Sequence, residues 1–270
     1  MKSAYLNSEI PDDQPVDVKQ PPGFAVKGKE DWVWKLKKGL YGLKQSGYLW
    51  YEKLKGVLES LDFHVCPSDP CVFIRHSSSG TLIIATHVDD LALFGSNLAE
   101  IEQFKKEFKT HFEISDKGAI SQFLGMTVIR DRHAHTISFS QHSYILELVA
   151  RFNLADANPA PTPMEMKVLT KADCPAEGSE EMKDMRGVPY AEAVGSLMHA
   201  SVMTRPDITR STQQTAQFMQ NPGHTHWKAV QRIIRYLKGT ADFVLVLGGT
   251  KSWAFLAYTD SNFVESPNHG

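Results

Sequence analysis

Two carboxylates stand side by side in His87-Val88-Asp89-Asp90, between the apolar runs Leu82-Ile83-Ile84-Ala85 and Leu91-Ala92-Leu93-Phe94-Gly95. Apolar runs on either side of a short polar break predict two strands joined by a tight turn. Adjacent carboxylates repel, and a divalent cation relieves that repulsion. The chemistry this predicts is metal-assisted phosphoryl transfer. Asp is also an ordinary turn former, so the pair alone is compatible with a plain hairpin.

Other candidate groups are scattered. Lys35, Lys37, Lys38 and Lys44 form one basic cluster and Arg232, Arg235 and Lys238 another. Each could contact phosphate, and each is equally a solvated face when taken alone. The pairs His133/His135 and His224/His226 lack Cys or carboxylate partners at ligand spacing and read as loop and helix-cap histidines. Cys66, Cys71 and Cys174 make no metal-ligand pattern and leave one odd, which suits a reducing, cytoplasmic or nuclear compartment.

Composition bounds the setting. The chain has 270 residues, 42% hydrophobic and 22% charged, enough for one large or two modest domains. Its net charge of -2 argues against a uniformly basic nucleic-acid binder. No run of about 18 apolar residues predicts a membrane span, and no signal-peptide pattern opens the chain.

These groups need a scaffold. Residues 8–31, rich in Pro, Asp and Gly, read as irregular. Leu49, Trp50, Leu54, Val57, Leu58 and Leu61 recur at helical spacing from near Ser46. A strand over 71–75 and two more within 81–94 follow, then an amphipathic helix over 98–111 with Ile101, Phe104, Phe108 and Phe112 on one side. Strands over 123–129 and 136–139 precede a helix over 142–152. Residues 157–189 read as a linker by composition. Helices are predicted over 190–203, 206–219 and 224–237, and strands over 243–247 and 253–258 run into Thr259-Asp260-Ser261-Asn262. Strands mixed with helices that cover one face predict an α+β fold.

Assembled in order, the motifs resemble the reverse transcriptase of copia-type long-terminal-repeat retrotransposons. The matching pieces are Met1-Lys2-Ser3-Ala4-Tyr5-Leu6-Asn7, Gln20-Pro21-Pro22-Gly23-Phe24, Leu36-Lys37-Lys38-Gly39-Leu40-Tyr41-Gly42-Leu43-Lys44-Gln45-Ser46, the Val-Asp-Asp hairpin and Phe123-Leu124-Gly125-Met126. They continue through Val194-Gly195-Ser196-Leu197-Met198, Thr204-Arg205-Pro206-Asp207-Ile208 and His226-Trp227 to Arg235-Tyr236-Leu237-Lys238-Gly239-Thr240.

The resemblance implies a right-hand polymerase: partial fingers and palm over 1–156, the linker over 157–189, connection helices over 190–241, and the first strands of a truncated ribonuclease H domain over 242–270. It implies a two-metal magnesium site on palm aspartates, with Asp89 and Asp90 as catalytic ligands. Tyr5, Tyr41, Gly42, Lys44 and Gln45 would border the incoming nucleotide, Tyr5 as the ring that excludes a ribose 2′-hydroxyl. Phe123, Leu124, Gly125 and Met126 would grip the primer. Asp260 resembles the first ribonuclease H aspartate, its companion ligands being expected beyond Gly270. The implied partners are an RNA template, a DNA primer, deoxynucleoside triphosphates and the rest of a Pol polyprotein, with a virus-like particle as the family setting and no membrane.

Three departures from the family pattern stand out. The first palm strand matches from its second position, so the third catalytic Asp is expected immediately before Met1 and the magnesium site is incomplete within these residues. Gly47-Tyr48 replaces the usual Pro-Arg pair, which removes a cation. His87 stands where Tyr is usual. The expectation is a polymerase by ancestry that does not extend primers as given. The alternatives are a non-catalytic remnant that binds template-primer through Lys35, Lys37, Lys38 and the Arg232 helix, or a structural protein whose serial motifs are coincidence.

Overall fold

The computed structural model describes residues 3–165 and 169–249, which form two compact units, one up to Ala119 and one from Ile120. Both mix helices with antiparallel sheet. Met1, Lys2, Asp260 and the strand expected over 253–258 lie outside the described residues.

The first unit opens with a 3-10 turn, Ala4–Asn7, then the short strands β1 (Asp17–Lys19) and β2 (Val33–Lys35), which pair Val18 with Trp34. Helix α1 (Ser46–Ser60) buries Trp50, Leu54 and Leu58, a stripe at i, i+4 and i+8. It ends where Asp62 turns left-handed at φ +64° and the Phe63 N–H reaches the Leu58 carbonyl, a Schellman closure with Asp in the position glycine usually takes.

Strands β3 (His64–Cys66), β4 (Asp69–Ser77), β5 (Gly80–His87) and β6 (Asp90–Gly95) make one antiparallel sheet in chain order. Period-2 alternation puts Phe73, Leu82 and Ile84 on its buried face. Helix α2 (Leu98–Lys109) starts at Asn97, whose side chain accepts the Ala99 N–H at 2.9 Å, and buries Phe104 and Phe108. These residues, with Phe63 and Phe112, form one aromatic core that fixes the sheet against both helices.

In the second unit β7 (Gln122–Phe123), β8 (Met126–Asp131), β9 (Thr136–Ser140) and β10 (Leu245–Gly248) form a sheet in that spatial order. The strand expected over 123–129 is broken, because Leu124 and Gly125 both take positive φ and make a two-residue hairpin turn. Helices α3 (His142–Arg151), α4 (Glu180–Met185), α5 (Tyr190–Met203), α6 (Thr209–Ala216) and α7 (His224–Gly239) surround a core that includes Ile145, Tyr190, Leu197, Val230, Ile233 and Leu237.

The stretch that composition presents as a linker packs on this core. Ala160, Leu169 and Met185 are buried, and the Ala160 N–H reaches the Arg235 carbonyl. The basic side chains of α7 hold it there. Arg232 pairs with Glu165 at 2.8 Å, the Arg235 Nε donates to the Asn158 carbonyl at 2.6 Å, and the Lys238 ammonium donates to the Ala155 and Ala157 carbonyls.

Candidate functional site

Within the first unit the β5–β6 hairpin pairs His87 with Asp90, so its loop is Val88-Asp89 alone. Val88 lies at φ +52°, a conformation suited to glycine and strained for a β-branched side chain. Such a strained corner persists only where neighbours hold it. The neighbour here is Trp50: its indole N–H donates to the Val88 carbonyl at 2.9 Å, while its ring packs edge-on against Phe112 at 5.2 Å. Trp50 reads from sequence as core packing; it also fixes the height of the carboxylate turn above the core.

The corner displays Asp89, half-buried, and Asp90, exposed. The Tyr41 hydroxyl donates to both Asp89 oxygens, at 2.7 and 3.1 Å. Partial removal from water, and then the adjacent Asp89 charge, raise the Tyr41 phenol above its ordinary value. Tyr5 completes the group, its ring centroid 4.4 Å from that of Tyr41. Tyr5, Tyr41 and Asp89, from three separate sequence motifs, therefore meet at one surface.

Tyr5 is set by its 3-10 turn and by Gly39. A Cβ at Gly39 would fall 2.9 Å from the Tyr5 carbonyl oxygen, 2.7 Å from the Ser8 Oγ and 3.1 Å from the Ser46 Oγ, so only glycine lets these backbones approach. A Cβ on Gly47 would lie 3.9 Å from the Tyr5 hydroxyl. Gly42, at φ +95°, is the sharp bend between Tyr41 and α1; Lys44 is exposed, and Gln45 precedes the first turn of α1. Gly39 and Trp50 are the residues that sequence reasoning did not single out for the site. The only available signal for Gly39 was its place inside a motif.

Phe123, Leu124, Gly125 and Met126 are the β7–β8 turn of the second unit, with Phe123 paired to Met126 and Met126 buried. His133 and His135 lie at the β8–β9 turn, while His226 caps α7, its Nδ1 accepting the Gly223 N–H at 2.9 Å.

Residues 1–166, more than half of the chain, match the family model described as reverse transcriptase (RNA-dependent DNA polymerase). The chain belongs to this reverse transcriptase family. It is similar to the retrovirus-related Pol polyprotein from transposon TNT 1-94 of Nicotiana tabacum, 38% identical over 264 residues, covering 97% of this chain and 20% of that protein. The corresponding polyproteins from transposons RE1 and RE2 of Arabidopsis thaliana are 31% and 29% identical, each over 97% of this chain and 17% of their own length. The chain thus spans at most a fifth of these relatives. No solved structure matches it.

Among the described residues no group of three or more His, Cys, Asp or Glu side chains could hold a metal. The hairpin nevertheless offers two adjacent hard oxygen donors with no thiolate or imidazole between them, a donor set that fits magnesium, which keeps several waters and takes one or two carboxylates. No helix among the described residues is long and apolar enough to cross a membrane.

Proposed function

We propose that the chain is the palm and part of the fingers of an RNA-directed DNA polymerase from a copia-type Pol polyprotein, followed by connection helices over 190–241 and the first part of a ribonuclease H domain from 242. Membership of the reverse transcriptase family supports this reading, but the observation that carries it is the hairpin corner. Asp89 stands on a strained two-residue loop and Asp90 next to it at the start of β6, with Trp50 bracing the turn, Tyr41 bonded to Asp89 and Tyr5 packed on Tyr41.

Asp89 and Asp90 would hold magnesium as the hairpin ligands. When bound, the metal supplies activation of a primer 3′-hydroxyl and neutralises charge on the leaving pyrophosphate. The chain's own groups do the positioning. Tyr5 stands against the sugar and excludes a 2′-hydroxyl. Tyr41, Gly42 and Gln45 border the templating base and incoming nucleotide, and Lys44 offers a point charge to phosphate. The Phe123–Met126 turn would grip primer backbone, and Asp260 would belong to the ribonuclease H part.

The template-primer is the proposed partner, with deoxynucleoside triphosphates as substrate. Lys35, Lys37 and Lys38 remain exposed for it, although Lys35 pairs with Asp12 at 3.0 Å. The α7 cations already serve residues 155–165. A primed RNA template with magnesium tests the reading on two polypeptides, residues 1–270 and the same chain with Met-Asp placed before Met1. Extension by the second form supports it. Silence in both, with the fold intact, would favour a remnant that only binds nucleic acid.

A further inference from the structure

Residues 21–35 do not bury a single side chain, yet their backbone is held in place. The β1–β2 ladder closes the base. Above it Gln20 spans the loop: its Nε2 donates to the Lys29 carbonyl at 2.6 Å and the Trp32 carbonyl at 3.0 Å, and its Oε1 accepts the Val26 N–H at 2.8 Å. The Glu30 carboxylate turns back onto the Gly28 N–H at 2.8 Å. A projection with no core is thereby ordered before any partner arrives, which lowers the entropy cost of binding.

What it displays is aromatic and basic. Phe24 is 71% exposed, Trp32 62% and Trp34 40%. The Lys29 ammonium lies 4.1 Å from the Trp32 ring centre. Residues 17–38 hold six lysines against three carboxylates, in a chain whose net charge is -2. Exposed aromatics at this density mark a binding surface. Lysine is depleted at protein–protein contacts, whereas lysines interleaved with aromatic rings suit a strand of stacked bases and phosphates.

We propose that the β1–β2 ribbon is a single-stranded nucleic-acid platform: Phe24, Trp32 and Trp34 stack bases, and Lys27 and Lys29 meet the phosphates. It rests on the polymerase reading, and identifies where an unpaired stretch of template would be held.

The test is fluorescence anisotropy of labelled 12-nucleotide oligouridylate and oligothymidylate with the full chain, its Trp32→Ala/Trp34→Ala variant and its Lys27→Ala/Lys29→Ala variant. None of the ribbon side chains is buried, so far-UV circular dichroism and the melting midpoint should stay as in the parent. Losing two stacks should weaken binding roughly tenfold or more. Losing two lysines should reduce the slope of log K against log salt by about 1.4. Binding by the tryptophan variant within twofold of the parent would overturn the platform and leave the polymerase reading standing. So would a concentration-dependent dimer that the tryptophan changes dissociate without altering oligonucleotide affinity. A parent chain that binds neither oligonucleotide would overturn the platform as well.

Discussion

The Tyr41 hydroxyl donates to both carboxylate oxygens of Asp89 across 48 residues of sequence, at 2.7 and 3.1 Å. A cation that takes Asp89 as a ligand must compete with this donor. Tyr41→Phe keeps the ring against Tyr5 and removes the competitor. Hydrogen bonds to charged groups contribute about 1.5–3 kcal/mol when shielded, and exposure here reduces that to about 0.5–1 kcal/mol. Manganese or terbium should therefore bind the variant a few-fold more tightly, as read by titration on the folded chain. Weaker binding would instead make Tyr41 an ally of the metal. Partial removal from water, and then this contact, raise the Tyr41 phenol. In ultraviolet titration Asp89→Asn should move one tyrosine toward lower pH, because the charge that opposes phenolate formation is gone.

Val88 is the strained corner of the hairpin. Asn tolerates the left-handed region far better than Val, so Val88→Asn should raise stability by about 1 kcal/mol. Trp50→Phe should lower it by about 1–3 kcal/mol, since the Val88 carbonyl loses its donor and the smaller ring leaves part of a buried site unfilled. Urea denaturation of both variants checks the pair of signs; a destabilised Val88→Asn would remove strain from the description of this turn.

Gly39 sets the approach of two backbones. Gly39→Ala would force its Cβ to within 2.9 Å of the Tyr5 carbonyl unless the turn shifts. The expected cost is about 1–3 kcal/mol, as for overpacking elsewhere. Displacement of Tyr5 should also show in altered Tyr5 and Tyr41 ring signals by nuclear magnetic resonance. Unchanged stability and spectra would mean that the contact yields freely.

Much of the scaffold was legible where periodicity had room to repeat. The Trp50, Leu54, Leu58 stripe and the Val230, Ile233, Ile234, Leu237 stripe each repeat over about two turns and marked their helices nearly to the residue. Strands β1 and β3, three residues each, are too short to show alternation. The β7–β8 break hid because Leu124, an unremarkable turn residue, occupies a left-handed position. Pro-rich composition concealed the burial of Ala160 and Leu169, and contacts to α7 some 70 residues away, such as Arg232 bonded to Thr162 and the Ala160 N–H bonded to the Arg235 carbonyl, leave no local pattern. At the site, motifs identified Tyr5, Tyr41 and Asp89 as candidates, but no local pattern states that they touch. The second duty of Trp50 was equally hidden, since a buried tryptophan satisfies the helical stripe whether or not its indole reaches a turn.

His226 offers a pH test of the second unit. It is fully buried, stacked 4.0 Å from Phe218, and accepts the Gly223 N–H. Burial depresses its pKa below 6.5, against the opposing pull of Asp173, the Thr170 carbonyl and Glu181. The unfolded chain then takes up a proton more readily than the folded one, so this contribution to stability is present above pH 6.5 and is lost as pH falls through the folded value. Chemical denaturation from pH 8 to 5 should show the decline, and His226→Gln should flatten that part of the curve while lowering stability at pH 8. A parent profile identical to that of the variant would contradict it.

The hairpin carboxylates carry the central claim, and the most direct measurement is single-nucleotide extension of a DNA primer on an RNA template by the chain with Met-Asp before Met1. Asp89→Asn should reduce the rate by about a hundredfold or more, the scale expected when charge stabilisation of a transition state is removed. Asp116→Asn is the control, because that carboxylate is committed to Lys105 at 2.9 Å and to the Gly118 N–H, and it should leave the rate within a few-fold. An Asp89→Asn rate equal to the parent's, or a parent that extends nothing while correctly folded, would contradict a catalytic role for this turn.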